Sequence, residues 1–117
     1  MKNNISVVIP THIRTEFIKK AINCVLLQSH KPNEIIIIND FKPGHFVKII
    51  NELKKKTKIP IKFYKSPFNS NAEESRNFAS RKTKNDYIAF LDDDDIWKKN
   101  YLKNIFKIIK KNNSPDV

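Results

Sequence analysis

The 117-residue sequence contains a single glycine, Gly44, and a single cysteine, Cys24. The phosphate-binding motifs G-x-G-x-x-G and G-x-x-x-x-G-K-[ST] need several glycines so that the backbone can approach the phosphates, and both are therefore excluded. One cysteine forms neither an internal disulfide nor a cysteine-based zinc site, so we interpret Cys24 as a small buried side chain. Any nucleotide must be held without a glycine-rich loop.

The sequence also lacks long apolar runs. None approaches the roughly 20 residues that cross a bilayer, and the apolar run at residues 5–10 is too short for a signal peptide. Hydrophobic residues make up 39% of the chain, which is enough for a core. We therefore expect one domain over residues 1–117, located in the cytoplasm.

Acidic residues are few, with 12 Asp and Glu against 23 Lys and Arg and a net charge of +11. This excess favours an anionic partner, which is a nucleic acid, an anionic lipid or a phosphorylated small molecule. In the last predicted helix, lysines 99, 103, 107 and 111 recur at four-residue spacing. A basic amphipathic helix can bind the inner face of the plasma membrane peripherally, and a solvated helix face is the alternative.

Hydrophobic spacing predicts four strands that alternate with four helices. Strands joined by helices imply a parallel sheet covered on both faces, which is an α/β/α sandwich, and Pro60 places the third strand at an edge. The predicted strands span 5–9, 34–39, 59–64 and 86–91, and the predicted helices span 15–28, 46–53, 71–82 and 99–110.

Polar side chains follow three of the predicted strands. Thr11 and His12 follow the first strand, Asp40 ends the second, and the run Asp92–Asp95 follows the fourth. In open parallel sheets, ligands bind beyond the carboxyl ends of the strands. We therefore expect these side chains to meet at one edge of the sheet.

The acidic run is the strongest local signal. Two carboxylates ~6 Å apart repel by roughly 3 kcal/mol at an effective dielectric constant of about 20. Mn²⁺ or Mg²⁺ would relieve that repulsion and neutralise a diphosphate leaving group. The alternative is a solvated acidic turn that caps the last helix, because carboxylates favour helix N-termini. Capping would explain Asp94 and Asp95 but would give Asp92 and Asp93 no role.

Two other residues have competing interpretations. Arg76 either forms an ion pair with the neighbouring Glu73 or Glu74, or its guanidinium contacts a diphosphate or a base. We expect Trp97 to anchor the core rather than to form a platform for substrate.

These motifs together resemble family 2 glycosyltransferases. Residues 5–11 resemble the opening strand of that family, and residues 34–40 resemble a second strand that ends in a nucleotide-binding aspartate. Ser75-Arg76-Asn77 resembles its Ala-Arg-Asn helix motif, and residues 87–97 resemble its strand with the D-x-D motif. The sequence departs from the family at Asn39, which replaces the first of two usual aspartates.

The resemblance implies a Rossmann-like GT-A fold, a nucleotide-diphosphate sugar donor that is usually UDP-linked, and a metal-dependent transfer that inverts the anomeric carbon. The implied pathway is synthesis of a bacterial-type polysaccharide or glycolipid, with a saccharide or lipid-linked acceptor and no nucleic-acid partner. The implied nucleotide-sugar site comprises Thr11, Asp40, Arg76, Asp92 and Asp93, and the implied ligands of Mn²⁺ or Mg²⁺ are Asp94 and Asp92.

Family members also need a carboxylate that acts as general base. The residues after Trp97 offer no candidate, so we assign no catalytic residue and expect a truncated chain that binds donor but does not transfer sugar alone. Three rivals remain open: a response-regulator-like receiver, a basic nucleic-acid-binding module and a non-catalytic interaction subunit. A receiver needs acidic residues after strand one, where Thr11 and His12 lie.

Overall fold

A computed structural model describes residues 4–11, 15–39, 44–65, 72–83, 85, 87–92 and 95–112. They form four strands that alternate with four helices, as the hydrophobic spacing predicts. In chain order the elements are β1 (Ile5–Thr11), α1 (Thr15–Leu26), β2 (Glu34–Asn39), α2 (Gly44–Lys54), β3 (Ile61–Lys65), α3 (Ala72–Lys82), β4 (Tyr87–Phe90) and α4 (Tyr101–Asn112).

The four strands form one parallel sheet in the order β3-β2-β1-β4. In the register of this sheet, Val8 lies between Ile36 of β2 and Phe90 of β4. The parallel α/β class and the edge position of β3 are confirmed. A doubly wound receiver has the strand order 2-1-3-4-5. The observed order places β4 beside β1 and does not match that rival.

Most of the core lies between the sheet and the three helices α1, α2 and α4. Ile22 and Val25 of α1 and Leu102 of α4 are completely buried in it. Phe106 packs into the same cluster, so the apolar stripe of α4 covers the sheet. No described helix is long and apolar enough to cross a membrane.

The other face of the sheet is covered by α3, which contributes few apolar side chains. Ala79 is fully buried against Val8, Ile36 and Ile38, and Phe78 packs at the margin of this cluster. Towards the amino ends of the strands, a polar network replaces the apolar contacts on the same face. The α3 face is therefore apolar at one end and hydrogen-bonded at the other.

The centre of this network is the carboxylate of Glu34, whose side chain is 7% exposed. Its Oε2 accepts hydrogen bonds from Ser6 Oγ at 2.6 Å, Thr83 Oγ1 at 2.9 Å and Asn85 Nδ2 at 3.0 Å. Its Oε1 pairs with Lys62 Nζ at 2.8 Å. The network therefore ties β1, β2, β3 and the α3–β4 connection together, because a buried carboxylate is tolerated only with such partners.

Burial works to raise the pKa of Glu34, because it disfavours the charged form. The hydrogen bonds from Lys62, Ser6 and Thr83, with the charge of Lys62, outweigh burial and hold the pKa below its ordinary value of 4.5. A lowered carboxyl pKa means that the folded state favours the ionised form. Glu34 therefore stabilises the fold above the pKa of the unfolded chain, and this contribution is lost as pH falls through the folded pKa.

We predict that Glu34→Gln lowers the free energy of unfolding at neutral pH by about 1–3 kcal/mol, because the charge-assisted bonds are lost. The difference between the variant and the unsubstituted chain should shrink as pH falls below 4.5. Urea unfolding at several pH values measures both effects. The exposed Glu52→Gln is the matched control for charge and should change stability little. A stability gap for Glu34→Gln that stays constant down to strongly acidic pH would contradict this account.

Candidate functional site

The carboxyl ends of β1 and β4 lie side by side, where the strand order reverses. Beyond the end of β4, Leu91 N donates to Val8 O at 2.9 Å and keeps the chain alongside β1. Thr11 ends β1 and is buried, and Asp92 follows Leu91 with its side chain exposed. In open α/β sheets, the crevice at such a reversal is the usual place for a ligand.

Arg76 and Asp92 form an ion pair at this edge. Arg76 Nη2 lies 3.5 Å from Asp92 Oδ1, although the two residues are on α3 and after β4 respectively. The guanidinium carbon of Arg76 is also 5.5 Å from the centre of the Phe90 ring, within the range of a cation–π contact. The structure therefore brings together two of the residues that the sequence nominated.

The Arg76–Asp92 pair is loose. The Arg76 side chain is 43% exposed and the Asp92 side chain is 51% exposed, and exposed pairs of this kind contribute roughly 0–1 kcal/mol. Arg76 Nε is buried and has no hydrogen-bond partner among the described residues. Among the residues that the structure describes, neither charge makes a strong contact. Both groups are therefore available to an anion or a cation that enters the crevice.

The ion pair gives Asp92 a partner that the sequence did not predict. Arg76 is close enough to reduce the repulsion between Asp92 and neighbouring carboxylates. The alternative that the acidic run caps the last helix is wrong for the described residues. Helix α4 begins at Tyr101, six residues after Asp95 and with no acidic residue in its first turn. Instead, Asp95 N donates to Asp92 O at 3.0 Å.

Several sequence-nominated residues lie outside the described ranges, namely His12, Asp40, Asp93 and Asp94. Their proposed contacts with nucleotide or metal stay predictions. In the part of the chain that the structure describes, no three His, Cys, Asp or Glu side chains converge on one point. Asp92 is thus one described carboxylate that a cation at this edge could contact, and the exposed Asp95 is close to it in the same turn.

The residues that hold the segment after the acidic run are Cys24 and Gln28 at the end of α1. Gln28 Nε2 donates to Lys98 O at 2.8 Å, and Gln28 Oε1 accepts from Leu102 N at 3.0 Å. Cys24 Sγ donates to Trp97 O at 3.1 Å and accepts from Trp97 N at 2.9 Å. These bonds fix where the chain runs between β4 and α4, and Gln28 satisfies a free N–H at the start of α4.

Sequence reasoning missed the role of Gln28, although a signal was present. Gln28 continues the stripe formed by Ile18, Ala21 and Val25, yet it is a polar amide that is only 1% exposed. A buried amide in an apolar stripe requires hydrogen-bond partners from another element.

The burial of Cys24 was predicted correctly, and Trp97 packs at the margin of the core as expected.

The sequence model of the family described as Glycosyl transferase family 2 matches residues 6–116. An uncharacterized glycosyltransferase of Rickettsia bellii is 35% identical over 93% of this chain, which covers 15% of that protein. The putative teichuronic acid biosynthesis glycosyltransferase TuaG of Bacillus subtilis is 33% identical over 85% of this chain, which covers 39% of TuaG. The chain thus spans well under half the length of these relatives.

Solved structures share the same fold. The mannosyltransferase PcManGT of Pyrobaculum calidifontis, in complex with GDP-Man and Mn²⁺, superposes with a TM-score of 0.80 at 16% identity, over 97% of this chain and 33% of that one. S. aureus TarS 1–349, in complex with UDP-GlcNAc, superposes with a TM-score of 0.76 at 24% identity, over 92% of this chain and 31% of that one. The arrangement of strands and helices is that of GT-A glycosyltransferases.

We predict that Gln28→Leu destabilises the chain by about 1–3 kcal/mol, because the partly buried Lys98 O and the buried Leu102 N lose their partner. Chemical denaturation measures the loss. Ser29→Ala is the control, since it removes the exposed hydrogen bond from Ser29 Oγ to Asn100 Oδ1 and should cost well under half as much. Equal stability of the Gln28→Leu variant and the unsubstituted chain would show that this amide does not anchor the segment.

Proposed function

Because the chain belongs to glycosyl transferase family 2, we propose that it is the donor-binding part of an enzyme that transfers sugar from a nucleotide diphosphate to an acceptor. The observation that carries the proposal is the Arg76–Asp92 pair beside the carboxyl end of β1. It places a guanidinium and a carboxylate, both partly exposed, where doubly wound sheets bind nucleotides. The chain would bind the donor at this edge.

Arg76 is the proposed contact for the diphosphate. A guanidinium presents several N–H donors in one plane, which matches the oxygens of a phosphate group. The contact of Arg76 with Asp92 is long and solvent-exposed. If Arg76 left Asp92 to bind a doubly charged diphosphate, the fold would therefore lose little free energy of unfolding. Phe90 would then support the guanidinium from beneath during the exchange.

Asp92 and Asp94 are the proposed ligands of Mn²⁺ or Mg²⁺. The exposed carboxylate of Asp92 is a hard oxygen donor of the kind that these cations prefer, so the described part of the donor set fits. The bound cation would supply positive charge that stabilises the departing nucleotide diphosphate. The Mn²⁺ complex of PcManGT, which shares this fold, supports the choice of metal.

Thr11 and Asp40 are the proposed contacts for the base and the ribose, with Asp93 completing the site. We propose UDP as the carrier, which is supported by the TarS complex with UDP-GlcNAc. PcManGT is in complex with GDP-Man, so the two bases must be compared directly. This comparison decides the donor class without knowledge of the sugar.

The proposed reaction is an inverting transfer in polysaccharide or glycolipid synthesis on the cytoplasmic side of the membrane. The acceptor oxygen forms a bond to the anomeric carbon, the bond from that carbon to the phosphate oxygen breaks, and the nucleotide diphosphate leaves. A general base takes the proton of the acceptor hydroxyl, and we assign that role to no residue of this chain. The printed name of TuaG, which refers to teichuronic acid, supports a polysaccharide product.

We predict that calorimetric titration of the chain with UDP shows binding that is at least about tenfold tighter with Mn²⁺ than without it, since the cation bridges carboxylate and diphosphate. GDP and CDP should bind more weakly than UDP. Asp92→Asn and Asp94→Ala should each abolish the effect of Mn²⁺. Asp95→Asn is the matched control, because it removes a neighbouring exposed carboxylate that has no assigned role. Affinity for UDP that is independent of Mn²⁺ would contradict the metal site.

We further predict that Arg76→Ala lowers UDP affinity about tenfold in the presence of Mn²⁺, because one charge-assisted phosphate contact is lost. Arg76→Lys should recover part of the affinity, since it keeps the charge but not the planar fork. Stability should change by no more than about 1 kcal/mol in either variant, as an exposed ion pair contributes little. Unchanged UDP affinity in Arg76→Ala would remove this residue from the proposed site.

A further inference from the structure

The outer surface of α1 and α4 has an unusual charge distribution. The sequence has no Asp or Glu in residues 17–33 and none in residues 96–112. The same two stretches contain no arginine, so their positive charge comes from lysine alone. All their lysines are exposed, namely Lys19, Lys20, Lys31, Lys98, Lys99, Lys103, Lys107, Lys110 and Lys111.

Part of this surface is a ladder of lysines on the side of α4 that faces the end of α1. Leu102 and Phe106 point into the core, which leaves Lys103, Lys107 and Lys110 together on the adjoining side of the helix. The rings of Phe106 and His30 are tilted by 34° with their centres 3.6 Å apart, which places the connection after α1 against this side. Lys98 and Lys99 extend the ladder before the helix begins.

Two large aliphatic side chains protrude beside the ladder. Leu27 is 72% exposed and Ile96 is 68% exposed, more than any other large hydrophobic residue described. Both line one shallow hollow of about 380 Å³ with Lys99 and Trp97. The hydrogen bonds between Cys24 and Trp97 join the two segments that carry these side chains, which form a small exposed apolar patch beside Lys99.

We propose that this surface, formed by Leu27, Ile96 and lysines 98, 99, 103, 107 and 110, docks on an anionic lipid bilayer. The lysines contact the headgroups, and the two aliphatic side chains enter the boundary between headgroups and acyl chains. The mode differs from that of an amphipathic helix lying in the membrane, because the apolar stripe of α4 is already used in the core. Contact is therefore made by the outward surface of a folded domain.

A bilayer fits these features better than a nucleic acid does. Binding of single-stranded nucleic acid relies on aromatic platforms for the bases and on arginine, and this surface has no arginine. Trp97 is stacked on Tyr101 at 4.6 Å and is occupied within the protein. Exposed leucine and isoleucine contribute nothing to phosphate binding, whereas they gain free energy when they leave water for lipid.

The test is cosedimentation of the chain with vesicles of phosphatidylcholine that contain increasing fractions of phosphatidylglycerol. Binding should rise steeply with the anionic fraction and fall with added salt. Lys103→Glu/Lys107→Glu should weaken binding at least about tenfold, because each lysine near an anionic surface contributes about one kilocalorie per mole. Leu27→Ser/Ile96→Ser keeps the charge constant and should weaken vesicle binding several-fold. The remaining binding should be more sensitive to salt.

The matched control is Lys55→Glu/Lys56→Glu, which makes the same change of charge at exposed lysines after α2. The proposal is overturned if this control loses as much binding as the ladder variant, or if the aliphatic variant binds like the unsubstituted chain. It is equally overturned if no vesicle binds, or if single-stranded RNA competes fully for the surface. Circular dichroism confirms that each variant is folded, and UDP titration reports separately on the donor site.

Discussion

Strand β1 lies between β2 and β4, and this position determines where the crevice at the carboxyl end of the sheet opens. The chain leaves β1 through α1 on one face of the sheet and returns to β4 from α3 on the other, so the crevice opens between the ends of β1 and β4. Val7, Val8 and Ile9 are buried with no exposed surface, which holds β1 in this central place. Only this strand order puts Asp92 beside the end of β1 and within reach of Arg76.

Charged side chains are held differently at the two ends of the sheet. At the amino end, Glu34 is buried with a full set of partners, and its contacts stabilise the fold. At the carboxyl end, Arg76 and Asp92 share one long, exposed contact that contributes little to stability. Charged groups held strongly at one end and weakly at the other are consistent with a rigid scaffold that presents an exchangeable site.

The sequence predicts the elements well because their signals are local. The consecutive isoleucines at positions 35–38 indicate a buried strand, and the spacing of apolar residues in α1 indicates a helix. The bonds that Gln28 makes to Lys98 and Leu102 could not be predicted, because these residues lie 70 and 74 positions away in the chain. The hydrogen-bond partners of Glu34 lie 28 to 51 positions away and depend on strand order. Arg76 was nominated from a motif, but its pairing with Asp92 requires the packing of α3 on the sheet.

We propose that a cation and a nucleotide diphosphate bind together at the carboxyl ends of β1 and β4. Paramagnetic broadening of amide NMR signals by Mn²⁺ in the presence of UDP tests it most directly, because the effect falls steeply with distance from the metal. We expect the signals of Thr11, Asp92 and Asp95 to broaden first, while those of Ser6 and Thr83 at the opposite end stay sharp. Broadening centred on the Glu34 network, or uniform broadening over the basic surface, would contradict it.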